Sequence, residues 1–294
     1  MIVNFAGLGS MGLGMAKSCL RAGLVVRGVD TNPDRVAALV AAGGRALGTD
    51  SPPAEILVSV VLNAEQTRDV LFGASGLAER LAPGATIVSC ATVSPAFARE
   101  MEAEARARGL QYLDAPVSGG AGKAAAGKLS IMAAGTPGAF AAAQPVLDAM
   151  AETVFDLGRA AGPGSAMKAV NQMLAGVHLA AMSEAITFGI TQHIAPETFL
   201  EVIRQCAGTS WMLENRVPHI VAGDYTPHSQ VNIWPKDLGI VMDIAREAGF
   251  CAPITAAALQ QFLSAAAMGL GHEDDAAVAK VYARNAGLTL PGVA

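Results

Sequence analysis

The sequence predicts an α/β domain with a mainly parallel sheet, joined to an all-α domain. Three observations predict it. The first half alternates short β-branched runs with alanine-rich stretches of helical length, the pattern of strands covered by helices on both faces. After Gly162-Pro163-Gly164, a strong breaker, no convincing strand run follows. The chain has 294 residues, 52% hydrophobic and 15% charged, enough to build a sizeable core in one large or two medium domains.

The expected strands, in order, are IVNFAG (2–7), VVRGVD (25–30), ILVSVVL (56–62), TIVSCA (86–91), YLDAPV (112–117), SIMAAG (130–135) and TVFDLG (153–158). Helices are expected over 11–22 and from Pro33. In the second half they are expected over 165–193, 196–206, 236–248, 254–269 and 275–282. The first of these five is long for a globular helix. Its length suggests burial on several sides or a place at a subunit interface. The domains are expected at 1–160 and 161–294, the second serving substrate binding and oligomerisation.

The formal net charge is -5, and the basic run from Arg99 to Arg108 is interrupted by Glu100, Glu102 and Glu104. That argues against nucleic acid or an anionic membrane surface as a partner. Cys19, Cys90, Cys206 and Cys251 lie far apart with no CxxC pair, so no metal site is expected, and buried free thiols are the default. No secretory leader is visible, and no apolar run reaches the ~18 residues of a membrane span. A cytoplasmic protein is expected.

GLGSMG (7–12) fits G-x-G-x-x-G between a strand and a helix. There the glycines have physical work: a tight turn, close backbone approach to a pyrophosphate, and close helix–strand packing. Gly7, Leu8, Gly9, Ser10, Met11 and Gly12 are therefore candidate dinucleotide contacts, with the helix N-terminus facing the phosphates. Asp30 ends the second strand, 18 residues after Gly12, where a carboxylate reaches the adenine ribose diol and repels a 2′-phosphate. NAD is the expected cofactor. The alternative is a packing turn with Asp30 capping the helix from Pro33.

In GPGSAMKAVNQM (162–173), Lys168 sits early in a helix, where the dipole and burial disfavour its charge. Asn171 and Gln172 follow at i+3 and i+4, on the same face. The five histidines stand in no obvious motif, so Lys168 is the candidate acid/base. A lysine snorkelling to solvent is the alternative. Ser118, Gly119 and Gly120 follow a strand and could hold a carboxylate in a nest of backbone N–H groups. An ordinary strand-to-helix turn would look the same. Thr92 lies just past a strand end, where ligands of parallel sheets bind, with capping by Thr92 or Ser94 as the plain reading. Lys236 points to a ligand, Asp237 to a helix cap. Trp211 reads as core, and Glu214 or Arg216 as a salt bridge.

The ordered motifs GLGSMGLGMA, DAPVSGG, GPGSAMKAVNQM and KDLGIV resemble the β-hydroxyacid dehydrogenases over nearly the whole chain. The resemblance implies a Rossmann-type N-terminal domain, a helical C-terminal domain and an active site in the cleft between them. It also implies that the catalytic lysine falls on Lys168 and its companion asparagine on Asn171. The substrate-carboxylate loop falls on Ser118–Gly120, and cofactor-side groups fall on Thr92 and Lys236. The stretches VLNAEQTRDVLFG (61–73), LAGVH (174–178), SWMLENRVPHIVAGDYTPHS (210–229) and HEDDAAVAKVY (272–282) resemble the L-threonate dehydrogenase branch. That implies NAD-dependent oxidation of a four-carbon sugar acid at its 2-hydroxyl. Such a polyhydroxylated substrate needs several donors and acceptors, which Ser118, Asn171, Gln172 and Ser210 could supply, and a homodimer or homotetramer is expected. Two positions depart from the wider family. Asn63, after Leu62 in the cofactor loop, replaces a proline, and Gln172 replaces a second asparagine. The alternatives are 3-hydroxyisobutyrate or tartronate semialdehyde as substrate, or a non-catalytic interaction module. Lys168 argues against the module, whose members lose it, and against the imine reductases, which share the architecture.

Overall fold

A computed structural model describes residues 1–293. They divide into two compact units, one ending at Lys168 and one beginning at Ala169. The division falls inside a single helix, eight residues beyond the boundary expected at 160.

The first unit runs β1 (Ile2–Ala6), α1 (Gly12–Arg21), β2 (Val25–Val29), α2 (Pro33–Ala41), β3 (Arg45–Ala46), β4 (Ala54–Ser59), α3 (Ala64–Phe72), a 3-10 turn (Leu77–Arg80), β5 (Leu81–Ser89), α4 (Pro95–Ala107), β6 (Gln111–Asp114), β7 (Val117–Ser118), α5 (Gly120–Ala126), β8 (Leu129–Gly135), α6 (Pro137–Met150), β9 (Ala151–Asp156) and the start of α7 (Pro163–Thr191). The sheet order is β3-β2-β1-β4-β5-β6-β8-β7, with β9 paired to β8. All pairings are parallel except β6 with β8 and β7 with β8. This is the expected Rossmann-type arrangement.

Successive side chains alternate between the faces of a strand, so one sequence run feeds two cores. Val3 and Phe5 of β1 and Ile56 and Val58 of β4 pack with Met15 and Cys19 of α1 and with Val146 and Leu147 of α6. Ala6, Leu57, Ile87 and Tyr112 pack in a second cluster with Leu71 of α3 and Ala98 and Met101 of α4. Each fully buried Leu or Ile contributes about 1.5–3 kcal/mol relative to exposure.

The second unit holds the rest of α7, α8 (Pro196–Ile203), α9 (Trp211–Ala222), α10 (Ile233–Glu247), α11 (Pro253–Ala267), two 3-10 turns (Leu270–His272 and Asp275–Val278) and α12 (Ala279–Asn285). Its core gathers Leu179 and Ile186 of α7, Val217 and Ile220 of α9, Leu238 of α10 and Phe262 of α11. Two adjacent buried aspartates brace it. Asp275 accepts from Arg216 Nε at 2.5 Å and Trp234 Nε1 at 3.0 Å. Asp274 lies 2.9 Å from His219 Nδ1 and accepts from the His228 backbone at 2.9 Å. The salt bridge expected of Arg216 therefore forms with Asp275, whereas Glu214 takes the Thr209 hydroxyl at 2.9 Å.

Four sequence expectations are corrected. Trp211 is 49% exposed rather than core, because it opens α9 at the helix end. Cys206 and Cys251 are exposed, and only Cys19 and Cys90 are buried. The 275–282 helix is a 3-10 turn followed by α12. The helix Pro163–Thr191 is long and apolar enough, by length and composition, to cross a membrane, with a mean hydropathy of 1.4 over its best window. That same helix supplies buried core residues to the second unit.

The start of α7 is fixed by a side chain from another element. Asp114 closes β6, and its Oδ2 accepts from the backbone N–H groups of Gly162 and Ser165, each at 2.9 Å. Its Oδ1 accepts from the Ser165 hydroxyl at 2.7 Å. Two backbone N–H groups and one hydroxyl at the helix start are met by one carboxylate. Burial pushes the Asp114 carboxyl above its ordinary range, with the Ser165 hydroxyl and the two N–H donors pulling it back.

Replacing Asp114 with Ala should cost about 2–4 kcal/mol in denaturant unfolding, since charge-assisted bonds are lost and buried N–H groups are orphaned. The raised carboxyl pKa also gives a sign. The folded state holds the proton more tightly than the unfolded one. The stability advantage of wild type over Asp114→Asn should therefore be largest below the ordinary carboxylate pKa and shrink as pH rises through the raised value. Urea midpoints of both proteins across pH 3–7 check this, on the scale where the free carboxyl titrates at about 4.

Candidate active site

The glycine loop lies at the carboxyl end of β1, between β2 and β4, where the chain crosses to opposite sides of the sheet and open parallel sheets bind ligands. Gly7 has φ +91°, and a Cβ there would lie 2.3 Å from Val60 O. A Cβ on Gly12 would lie 2.0 Å from Gly7 O. These two glycines are required by the backbone itself. A Cβ on Gly9 would meet only the end of the Arg35 side chain, at 2.8 Å. Gly9 is thus the point where another molecule can come closest to the backbone.

Helix caps separate this loop from its neighbours. In the first unit, α2, α3, α4 and α6 are capped by the side chains of Asn32, Asn63, Ser94 and Thr136. The N-terminus of α1 has no side-chain cap, so its N–H groups face the loop. Asp30 braces the loop from β2, accepting from Leu8 N at 2.6 Å and Asn32 N at 2.8 Å. It does not cap α2, since Asn32 does. Ionised, each of its oxygens keeps a further lone pair for a ribose hydroxyl. Uncapped N–H groups, an open glycine and an acceptor at the end of β2 fit a dinucleotide diphosphate and its ribose.

Other expected cofactor-side residues stand at the carboxyl ends of the adjoining strands. Leu62 is 51% exposed, and its N–H donates to Gln66 Oε1 at 3.0 Å. Asn63 Oδ1 accepts from Gln66 N at 2.8 Å. Thr92, half-buried, follows β5 and leaves capping of α4 to Ser94.

The substrate-side residues fall into two constellations. In the first unit, Lys168 is 8% exposed, and its Nζ donates to Val117 O at 2.9 Å. Val117 begins the turn through Ser118, Gly119 (φ +133°) and Gly120 (φ +73°). The lysine is thereby held to the backbone just before the expected carboxylate nest. Cys90, close enough to Asp114 to feel its charge, is inert as a nucleophile, because burial pushes its thiol up to about 12.

In the second unit, Asn171 Nδ2 donates to Gln172 Oε1 at 2.9 Å, and Gln172 Nε2 donates to Asp237 Oδ2 at 2.5 Å. Lys236 Nζ pairs with Asp237 Oδ1 at 2.7 Å. Asp237 is therefore a buried hub inside α10 and not the helix cap that its place after Pro235 suggested. Ser210 serves as the cap of α9, its Oγ accepting from Leu213 N at 3.1 Å. No sequence motif assigns a role to Asp114 or Arg35. A carboxylate ending an apolar strand was the signal for Asp114.

Comparison with known proteins places the chain among NAD-binding dehydrogenases. A family model for the NAD binding domain of 6-phosphogluconate dehydrogenase matches residues 2–158. A second model, for the NAD-binding region of NADP-dependent 3-hydroxyisobutyrate dehydrogenase, matches residues 162–282. An L-threonate dehydrogenase of Cupriavidus necator is 45% identical, over 99% of this chain and 98% of its own length. One from Escherichia coli K12 is 44% identical, over 99% of this chain and 96% of its own length. A crystal structure of a 3-hydroxyisobutyrate dehydrogenase from Salmonella typhimurium superposes with a TM-score of 0.91 at 45% identity, covering 96% of this chain and 99% of that one.

The glycine loop separates two kinds of damage. Gly9→Ala should leave thermal stability nearly unchanged and weaken NADH binding at least about tenfold, a difference of ~1.4 kcal/mol. Gly12→Ala should lower the melting temperature itself, since its Cβ strikes backbone. Differential scanning fluorimetry and NADH fluorescence titration distinguish the two.

Proposed function

We propose that this chain, which belongs to the β-hydroxyacid dehydrogenase family of NAD-binding oxidoreductases, oxidises L-threonate or a closely related four-carbon sugar acid at its 2-hydroxyl. The observation that carries this reading is Lys168: buried, one turn into α7, and held 2.9 Å from Val117 O at the mouth of the Ser118–Gly120 turn. The relatives named L-threonate dehydrogenase support the substrate.

In this reading the substrate carboxylate rests on the Ser118–Gly120 backbone N–H groups and the Ser118 hydroxyl. Lys168 accepts the proton of the reacting hydroxyl as general base. Asn171, one turn along the same helix, orients the acid. Gly7–Gly12, Asp30, Leu62, Asn63, Thr92 and Lys236 hold the NAD. When bound, NAD supplies the hydride acceptor. The protein's share is to fix the hydroxyl against Lys168 and keep the carboxylate out of water.

A homo-oligomer belongs to the same reading, as does a cytoplasmic setting without nucleic-acid or membrane partners. On α7, Val170, Leu174 and Phe188 are 53%, 53% and 65% exposed, an apolar stripe at helical spacing that a second copy would cover.

Lys168→Ala should lower turnover about 10²–10⁴-fold, the range of a general base, with NADH affinity kept. Unchanged turnover would remove Lys168 from the role. Phe188→Glu should lower the mass seen by light scattering to that of a smaller assembly. An unchanged mass would place the interface elsewhere.

A further inference from the structure

The chain Asn171–Gln172–Asp237–Lys236 has a direction. An ionised carboxylate only accepts hydrogen bonds. Asp237 Oδ2 therefore forces Gln172 to turn its NH2 group toward it, at 2.5 Å. That leaves Gln172 Oε1 as an acceptor, which forces Asn171 to turn its own NH2 group inward, at 2.9 Å. Lys236 Nζ lies 2.7 Å from the other carboxylate oxygen, Oδ1, at the head of the chain. Gln172 is 7% exposed and Asp237 2%, so little water competes for these bonds. The end of Asn171 not used in the chain is its Oδ1, an acceptor.

The geometry points to Asp237 and Gln172 as positioning residues that set Asn171 as a hydrogen-bond acceptor, which selects a hydroxy acid bearing a second hydroxyl beside the reacting one. The inference rests on the dehydrogenase reading above. The reacting hydroxyl gives its proton to Lys168. A hydroxyl on the next carbon donates to Asn171 Oδ1. An acid with only one hydroxyl leaves that acceptor unmatched, which is how a polar site rejects an analogue lacking the group. Gln172 is long enough to reach both Asn171 and Asp237. Both ends of its amide are used within the protein, so its role is that of a strut, not the substrate contact first expected.

The test compares kcat/KM for L-threonate and for 2,4-dihydroxybutanoate, which lacks the 3-hydroxyl, in wild type, Gln172→Asn, Asp237→Asn and the double variant. NADH affinity is measured by fluorescence in each. Wild type should prefer L-threonate by at least about tenfold. Gln172→Asn, which keeps the Lys236–Asp237 pair, should bring the ratio near one by lowering the L-threonate value while NADH affinity holds. Asp237→Asn should do the same to the ratio, and the double variant should lose no more of it than either single one. General structural damage would lower both substrates together. A ratio unmoved in Gln172→Asn, or ratio losses that multiply in the double variant, overturns the inference. Equal turnover of both acids by wild type overturns it while leaving the dehydrogenase reading intact. A wild type inert toward both overturns the two together.

Discussion

The acid group of Asp114 is the constraint on which the lysine's placement depends. A helix that starts inside a protein must satisfy its first N–H groups, and α7 does so with a carboxylate from the end of β6. The capping bonds fix where the helix begins and its rotation about its axis. Lys168 follows Ser165 by three residues, so the same bonds that seat Ser165 aim the lysine at Val117 O. Burial of the carboxyl makes the arrangement costly to ionise, and the three donors offset part of that cost. Gly164 completes the fit. A Cβ there would lie 2.6 Å from both Asp114 O and Met132 O, so only glycine lets the helix start this close to the sheet.

This answers what a lysine does near the unfavourable end of a helix. Its charge gains nothing from the dipole there. What it gains is position. The first turn of α7 is anchored to the strand that leads into the Ser118–Gly120 turn, so the amine and the turn are held by one rigid part of the fold. Sites built on such anchored elements hold their geometry better than sites on free loops.

The sequence was most informative where local physics decides the outcome. The strand-loop-helix around Gly7–Gly12 was legible because two of its demands are local: Gly7 takes a positive φ, and a Cβ on Gly12 would strike Gly7 O. The long α7 was legible from periodicity and the GPG breaker, to within two residues at each end. The short strands β3 and β7, two residues each, leave too little pattern to read. α9 was passed over although Ser210 caps it, because Pro218 and the mixed polarity of 210–216 obscure its period. Asp114 and Asp237 were legible as residues and opaque as roles. Apart from Lys236 beside Asp237, their partners lie 48 to 65 residues away in sequence, and no spacing rule reaches that far.

The most direct measurement follows NADH formation from NAD with L-threonate, 3-hydroxyisobutyrate and glycerate, under matched conditions. L-threonate is expected to give the highest kcat/KM of the three. A preference for 3-hydroxyisobutyrate would contradict it, for a substrate with one hydroxyl has no use for the acceptor that Asn171 presents.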